Sequence, residues 1–229
     1  MSLIRQPFRY RNDGVVFWLI GINVFIFAVT WLLTRNVYAI AGWGKAGERL
    51  IMFWFSLLDR LPMKPANVIG RKWVWTFLTY MFMHGGFSHV FFNMLGLLIF
   101  GMQVERQMGS SEFLLYYLVT GVAAGIFSFG LFFFTRNYAV SLIGASGALF
   151  AVELAFAVFF PDSIIYLWGI LPLRAPVMVL GYTALELIFS VTGRNDGVAH
   201  FTHLAGFGAG WVYFLARYGV NPWRRLTRR

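Results

Sequence analysis

The chain of 229 residues is 59% hydrophobic, 20% aromatic and only 12% charged, against roughly 25% charged in an ordinary soluble domain, which excludes a water-soluble globule. Its formal charge of +10 comes from 19 Lys and Arg against 9 Asp and Glu, and in so apolar a chain that excess points to a membrane surface rather than to nucleic acid. The absence of Cys excludes disulfides, thiolate metal sites and a thiol nucleophile, leaving hydroxyl, imidazole, carboxylate or backbone groups for any chemistry.

Residues 1–14 read as a cytoplasmic tail carrying Arg5, Arg9 and Arg11, 15–217 as the membrane domain, and 218–229 as a basic cytoplasmic tail. The arginines beside the first and last apolar runs put both termini inside, which demands an even number of crossings. Counted over the whole chain with those ends included, Lys and Arg divide almost evenly, ten inside and nine outside, with seven of the latter in one long connector. The first apolar run is a full span without a small-residue cleavage site, so no cleavable signal peptide is expected.

Val15 to Thr34 is charge-free and forms the first span. The connector, Arg35 to Lys72, holds an apolar patch from Leu50 to Leu58 that is too short to cross and is expected in the interface. The uncharged run from Trp73 to Val104, 32 residues, would be about 48 Å as one helix, too long for a hydrocarbon core of about 30 Å. Gly85 and Gly86 divide it into an interfacial part up to Met83 and a second span, Phe87 to Val104, closed by Glu105 and Arg106. Phe113 to Phe134 is the third span and Ser141 to Pro161, containing Glu153, the fourth. Ser163 to Leu173 reads as a cytoplasmic-side connector with Arg174 between two prolines. Val177 to Gly193, with Glu186, and Gly197 to Ala216 complete six crossings. No internal repeat is evident, which weakens a transporter built from inverted halves.

Spans two, four and six run in the same direction, so their first residues share one outer depth. His89 and Asn93 begin span two, Ser146 span four, and His200 and His203 span six. Each has a bland reading. Ser146 in Gly144-Ala145-Ser146-Gly147 could simply permit close helix packing. His89 and Asn93, four apart on one helix face, could hydrogen-bond between helices. His200 and His203, three apart, could share a metal, but no third strong ligand stands nearby in the sequence. Glu153 and Glu186 are costly in lipid, and a structural partner is the better reading of both.

Together these residues carry a stronger reading. A serine hydroxyl becomes a nucleophile when an imidazole takes its proton, and the intermediate needs preorganised donors for its oxyanion. Ser146 and His203 supply the pair; the Ser146 N–H at a helix start, with His89 and Asn93, supplies the donors. No carboxylate is obviously placed to orient the histidine, since Asp196 reads as a turn, so a dyad is expected.

At these residues the chain resembles a rhomboid intramembrane serine protease, from the first span to Trp211. The resemblance rests on Trp75, His84-Gly-Gly-Phe-Ser-His89-Val-Phe-Phe-Asn93, Glu105-Arg106-Gln-Met-Gly109, Gly144-Ala-Ser146-Gly147 and Ala199-His200-Phe-Thr-His203-Leu-Ala-Gly206. It implies an all-α polytopic bundle of six transmembrane helices, close to a minimal core, with a long interfacial connector after the first. It also implies Ser146 as nucleophile, His203 as general base and acid, and His89, Asn93 and Ser146 as oxyanion donors. By the same resemblance His200 is a structural neighbour, His84 supports the connector, Gly206 and Gly210 bring the sixth helix onto the fourth, and Glu105 with Arg106 forms an inner latch. Thr76 follows Trp75 where many members carry Arg, and Phe150 stands where an aromatic, often Tyr, stacks on the catalytic imidazole. The reaction implied is peptide hydrolysis in or near the transmembrane segment of single-span substrates, without cofactor or metal, in the inner membrane of a bacterium. The competing expectations are a catalytically inactive relative that binds membrane proteins, a metalloprotease using His200 and His203, and a transporter using the two buried glutamates.

Overall fold

A computed structural model describes residues 13–167, 169–192 and 200–227. Arg5, Arg9, Arg11, Arg228, Arg229, Asp196 and Ala199 lie outside the described residues. The first helix, α1 (Val15–Arg35), is about 31 Å long at 1.5 Å per residue, and its mean hydropathy of 2.3 suits it to a bilayer. Phe17, Trp18 and Phe25 face outward while Val16, Leu19 and Asn23 face the protein.

The connector consists of α2 (Val37–Ala41), α3 (Lys45–Leu58), α4 (Pro65–Arg71), α5 (Thr76–Thr79) and a 3₁₀ turn, Tyr80–Phe82. The expected interfacial patch is the C-terminal part of α3, whose Met52, Phe53 and Phe55 are exposed. Trp75 donates its indole N–H to the Arg60 carbonyl at 3.0 Å. The guanidinium groups of Arg60 and Arg71 lie over the Trp73 ring, so cation contacts reach this segment although Thr76 follows Trp75. Thr76 is fully buried and donates its hydroxyl to the Trp73 carbonyl at 2.6 Å.

α6 (Phe87–Gly96) continues through a π turn, Leu97–Gly101, into α7 (Met102–Met108), which carries the helix past Glu105 and Arg106 rather than ending there. The reason lies in α1, whose first N–H groups have no intrahelical acceptor. The Glu105 carboxylate accepts from Val15 at 2.7 Å and Val16 at 3.0 Å. Ser110 donates its hydroxyl to the same carboxylate and accepts the Asp13 N–H at 2.6 Å. The expected latch is therefore a helix cap supplied from another helix, and Glu105, 2% exposed, is satisfied by it.

α8 (Ser110–Phe134) leads to a loop and then to α9 (Ser146–Phe159), in which nearly every residue is buried, including Gly147, Ala148, Ala151, Val152, Leu154 and Ala155. A helix apolar on all sides belongs inside, and α9 is the central strut, packed against α8, α11 and α10. Residues 163–174, expected as a plain connector, form a hairpin of β1 (Ile164–Leu167) and β2 (Leu171–Arg174), with Ile164 paired to Arg174. α10 (Ala175–Thr192) buries only its first turn and exposes Leu185, Leu187, Ile188 and Val191. α11 (His200–Tyr213) passes through a π turn, Phe214–Tyr218, to the short α12 (Pro222–Leu226). Just past α11, Arg217 meets the buried Glu112 of α8 at 2.7 Å, and Tyr213 donates its hydroxyl to the same carboxylate at 2.6 Å.

Among the described residues four helices are long and apolar enough to cross a bilayer: α1, α6 with α7, α8 and α10. The protein is an integral membrane protein built mostly of helices.

Candidate active site

The loop before α9 is held in place by backbone bonds to the connector. Met63 and Leu142 exchange N–H···O bonds of 3.1 and 2.9 Å, and the Gly144 N–H reaches the Tyr80 carbonyl at 2.9 Å. Tyr80, fully buried, anchors itself to the Gly121 carbonyl of α8 at 2.7 Å. Gly144 adopts a φ of +112°, a region closed to most side chains. A Cβ there would sit 2.6 Å from His89 Nε2 and 3.7 Å from Ser146 Oγ. The missing side chain thus leaves a small open space between the imidazole of one helix and the hydroxyl of another.

Ser146 opens α9, where the first N–H groups lack intrahelical acceptors and the helix dipole favours negative charge. Its hydroxyl lies 2.7 Å from His203 Nε2. The His203 ring is 8% exposed and stacks on Phe150, with centroids 4.5 Å apart and planes within 9°. α11 comes this close because Gly206, one turn along, touches the Gly147 backbone: a Cβ at Gly206 would lie 1.8 Å from the Gly147 carbonyl oxygen. Gly210 likewise sits against Tyr116 and Ala151. Thr202 shares a 2.7 Å hydrogen bond with Ser128 of α8.

His89 is half-buried, and its Nδ1 receives the Gly85 N–H at 3.4 Å. Accepting at Nδ1 leaves Nε2 as the N–H, aimed at the space beside Gly144. Asn93 donates Nδ2–H to the His89 carbonyl at 2.8 Å, and its buried Oδ1 has no hydrogen-bond partner among the described residues. His84 packs edge-on to His89 at 4.9 Å, and among the described residues neither of its ring nitrogens finds a hydrogen-bond partner. Burial pushes the His84 imidazole down to about 4, the neighbouring His89 adds to this, and the Phe82 carbonyl opposes it only in part.

The sequence singled out no carboxylate to orient His203, and Glu186 of α10 fills that position. One carboxylate oxygen accepts from His200 Nδ1 at 2.6 Å, and the other lies 3.1 Å from His203 Nδ1. The second approach is within ion-pair reach, but its angle falls short of a good hydrogen bond. His200 therefore joins the group through Glu186. This also supplies the third ligand that the sequence did not offer: donor atoms of Glu186, His200 and His203 lie within 4.8 Å of one another, close enough to share a divalent cation. Of these atoms His200 Nδ1 and Glu186 Oε2 are hydrogen-bonded to each other and His203 Nε2 meets Ser146, while His203 Nδ1 faces Glu186 Oε1. Glu186 could have been sought by register, since it stands six residues before the end of α10 while His200 and His203 lie in the first turn of α11, the helix that follows. Glu153, buried deeper on α9, makes no hydrogen bond or ion pair among the described residues.

The Rhomboid domain family profile matches residues 71–219. RHOMBOID-like protein 2 of Arabidopsis thaliana is 31% identical over 179 residues, covering 76% of this chain and 54% of that protein. RHOMBOID-like protein 1 of the same plant is 29% identical over 242 residues, covering 97% of this chain and 59% of its own length. Rhomboid-type serine protease 2 of Emericella nidulans is 33% identical over 140 residues, 58% of this chain and 25% of that protein. The chain thus spans less than two thirds of these relatives. With Ser146 and His203 joined at the head of a buried helix and the profile running from the connector through the last long helix, the chain belongs to the rhomboid family.

Proposed function

We propose that the protein is an intramembrane serine endopeptidase that cleaves transmembrane segments of single-span membrane proteins. The observation that carries this reading is the 2.7 Å contact between Ser146 Oγ and His203 Nε2. Six crossings, with α9 and α11 as the two shorter ones, complete the proposed architecture. The terminal arginines support cytoplasmic ends, and a bacterial inner membrane is the proposed setting. At 14 residues, α9 is about 21 Å long, so a helix seated at the inner boundary of a 30 Å core carries Ser146 roughly 9 Å beneath the outer one. A half-buried Ser146 and His89 leave that depth open to water.

In this mechanism Ser146 Oγ attacks the scissile carbonyl while His203 Nε2 takes its proton. The oxygen of the tetrahedral intermediate occupies the space beside Gly144, receiving the His89 Nε2–H and the Ser146 N–H; the second Asn93 Nδ2–H adds to it once the amide turns from the His89 carbonyl. His203 then protonates the leaving amine. Water, deprotonated by the same imidazole, releases the acyl group and restores Ser146. The connector and α10, which buries only its first turn, form the side through which a substrate helix enters.

The test is Ser146→Ala in proteoliposomes with a model single-span substrate, beside labelling of the wild type by a fluorophosphonate. Cleavage should vanish in the variant and the label should map to Ser146. Unchanged cleavage would remove Ser146 from the chemistry, and a wild type that neither cleaves nor labels would leave a binding module instead.

A further inference from the structure

We infer that Glu186 is a positioning residue for His203, held in place by His200, so that the working unit is a carboxylate clamped between two imidazoles rather than an isolated pair. The inference rests on the protease reading above. For Nε2 of His203 to accept the Ser146 proton, the neutral ring must carry its hydrogen on Nδ1. That nitrogen is buried, and Glu186 Oε1 at 3.1 Å is the acceptor facing it. The carboxylate favours this tautomer and steadies the imidazolium that forms when Ser146 attacks.

Glu186 is aimed by its second oxygen. His200 and His203 stand three residues apart and share a helix face, and one planar carboxylate bridges them at 2.6 and 3.1 Å. The shorter bond, from His200, fixes the rotamer of Glu186. His200 itself is 7% exposed and packs against Phe189 of α10. The His203 ring is then restrained on three sides, by Phe150 on its face, Ser146 at Nε2 and Glu186 at Nδ1. Glu186 also ties α10 to α11 in the half of α10 that is otherwise exposed.

The experiment compares wild type, Glu186→Gln, His200→Ala and the double variant in steady-state cleavage, fluorophosphonate labelling rate and thermal midpoint. A carboxylate aligned on a triad histidine is worth about 10⁴ in kcat, and one that orients a metal-bound imidazole about 10 to 100. At 3.1 Å and imperfectly aligned, Glu186 belongs nearer the second figure. Glu186→Gln should lower kcat and the labelling rate together by about 10- to 100-fold, with KM held within about twofold. His200→Ala should lower kcat less, and should add little in the Gln background because it acts through the same carboxylate. A wild-type kcat in Glu186→Gln, a loss confined to KM, or a loss that follows the thermal midpoint would overturn the role while leaving Ser146 and His203 intact. Loss of wild-type activity on chelation, restored by zinc, would assign the three residues to a metal and overturn it too. The underlying protease reading fails separately, if Ser146→Ala still cleaves or if the wild type neither cleaves nor labels.

Discussion

Replacing Gly206 by Ala tests whether close approach of two helices sets the catalytic distance. The added Cβ would sit 1.8 Å from the Gly147 carbonyl oxygen and 2.7 Å from its carbon. Neither atom can swing aside as a flexible side chain would, and Cβ contacts below 3.0 Å essentially do not occur. α11 must therefore withdraw from α9 by the gap between 1.8 and 3.0 Å, about 1.2 Å. His203 lies one turn earlier on the same helix, 2.7 Å from Ser146 Oγ. A shift of that size along the contact stretches it to about 3.9 Å, beyond hydrogen-bond reach. Misplacement by 1 Å costs about 10²-fold, a barrier increase of about 3 kcal/mol. Cleavage of a fluorogenic single-span substrate in proteoliposomes, with fluorophosphonate labelling in parallel, measures the loss. Gly208→Ala is the internal control, since among the described residues its added Cβ meets nothing within 4 Å beyond the adjoining backbone of its own helix, and it should retain full activity. A Gly206→Ala enzyme within twofold of wild type would refute the idea that this contact governs the Ser146–His203 separation.

His89→Ala removes the N–H aimed at the space beside Gly144, and kcat should fall by about 10²- to 10³-fold, or roughly 2.7 to 4 kcal/mol, with the fold unchanged by circular dichroism; a normal rate would move the oxyanion contact elsewhere. Arg217→Met strands a Glu112 carboxylate that is 2% exposed and should destabilise the protein by about 3 to 5 kcal/mol, read as a lower thermal midpoint in detergent. Adding Glu112→Gln should recover part of that loss, and identical midpoints for wild type and the single variant would show that the ion pair contributes nothing. His84 makes stability fall with acid: the unfolded chain takes up a proton below about 6.5, while the folded imidazole resists until about 4. Stability is therefore lost as pH drops through that window, by up to about 3 kcal/mol. His84→Gln should flatten the thermal midpoint between pH 6.5 and 4, and parallel curves for the two proteins would rule out the group.

The Ser146–His203 pair was legible because both motifs sit at helix starts, where short local signals carry most of the information. Four long apolar runs likewise announced their helices. The second helix runs past its charged pair, which normally closes a span, because Glu105 is consumed in capping α1, a contact between residues 89 and 90 apart in the chain. The hairpin at 164–174 was missed since so short an apolar stretch carries no decisive period. In the sequence Glu186 reads as a structural glutamate because its partners lie on the next helix, across residues 193–199, and only the packing of α11 on α10 brings them together.

The backbone stitching at Met63–Leu142 and Tyr80–Gly144 has a bearing on how this chain can vary. Main-chain pairing is indifferent to residue identity, so many side chains between these anchors can change without disturbing the serine. Chain length there is different: an inserted or deleted residue between Met63 and Tyr80 would be transmitted directly to the turn that presents the nucleophile. Away from Trp73, Trp75, Thr76 and Tyr80, spelling in that stretch is looser than spacing.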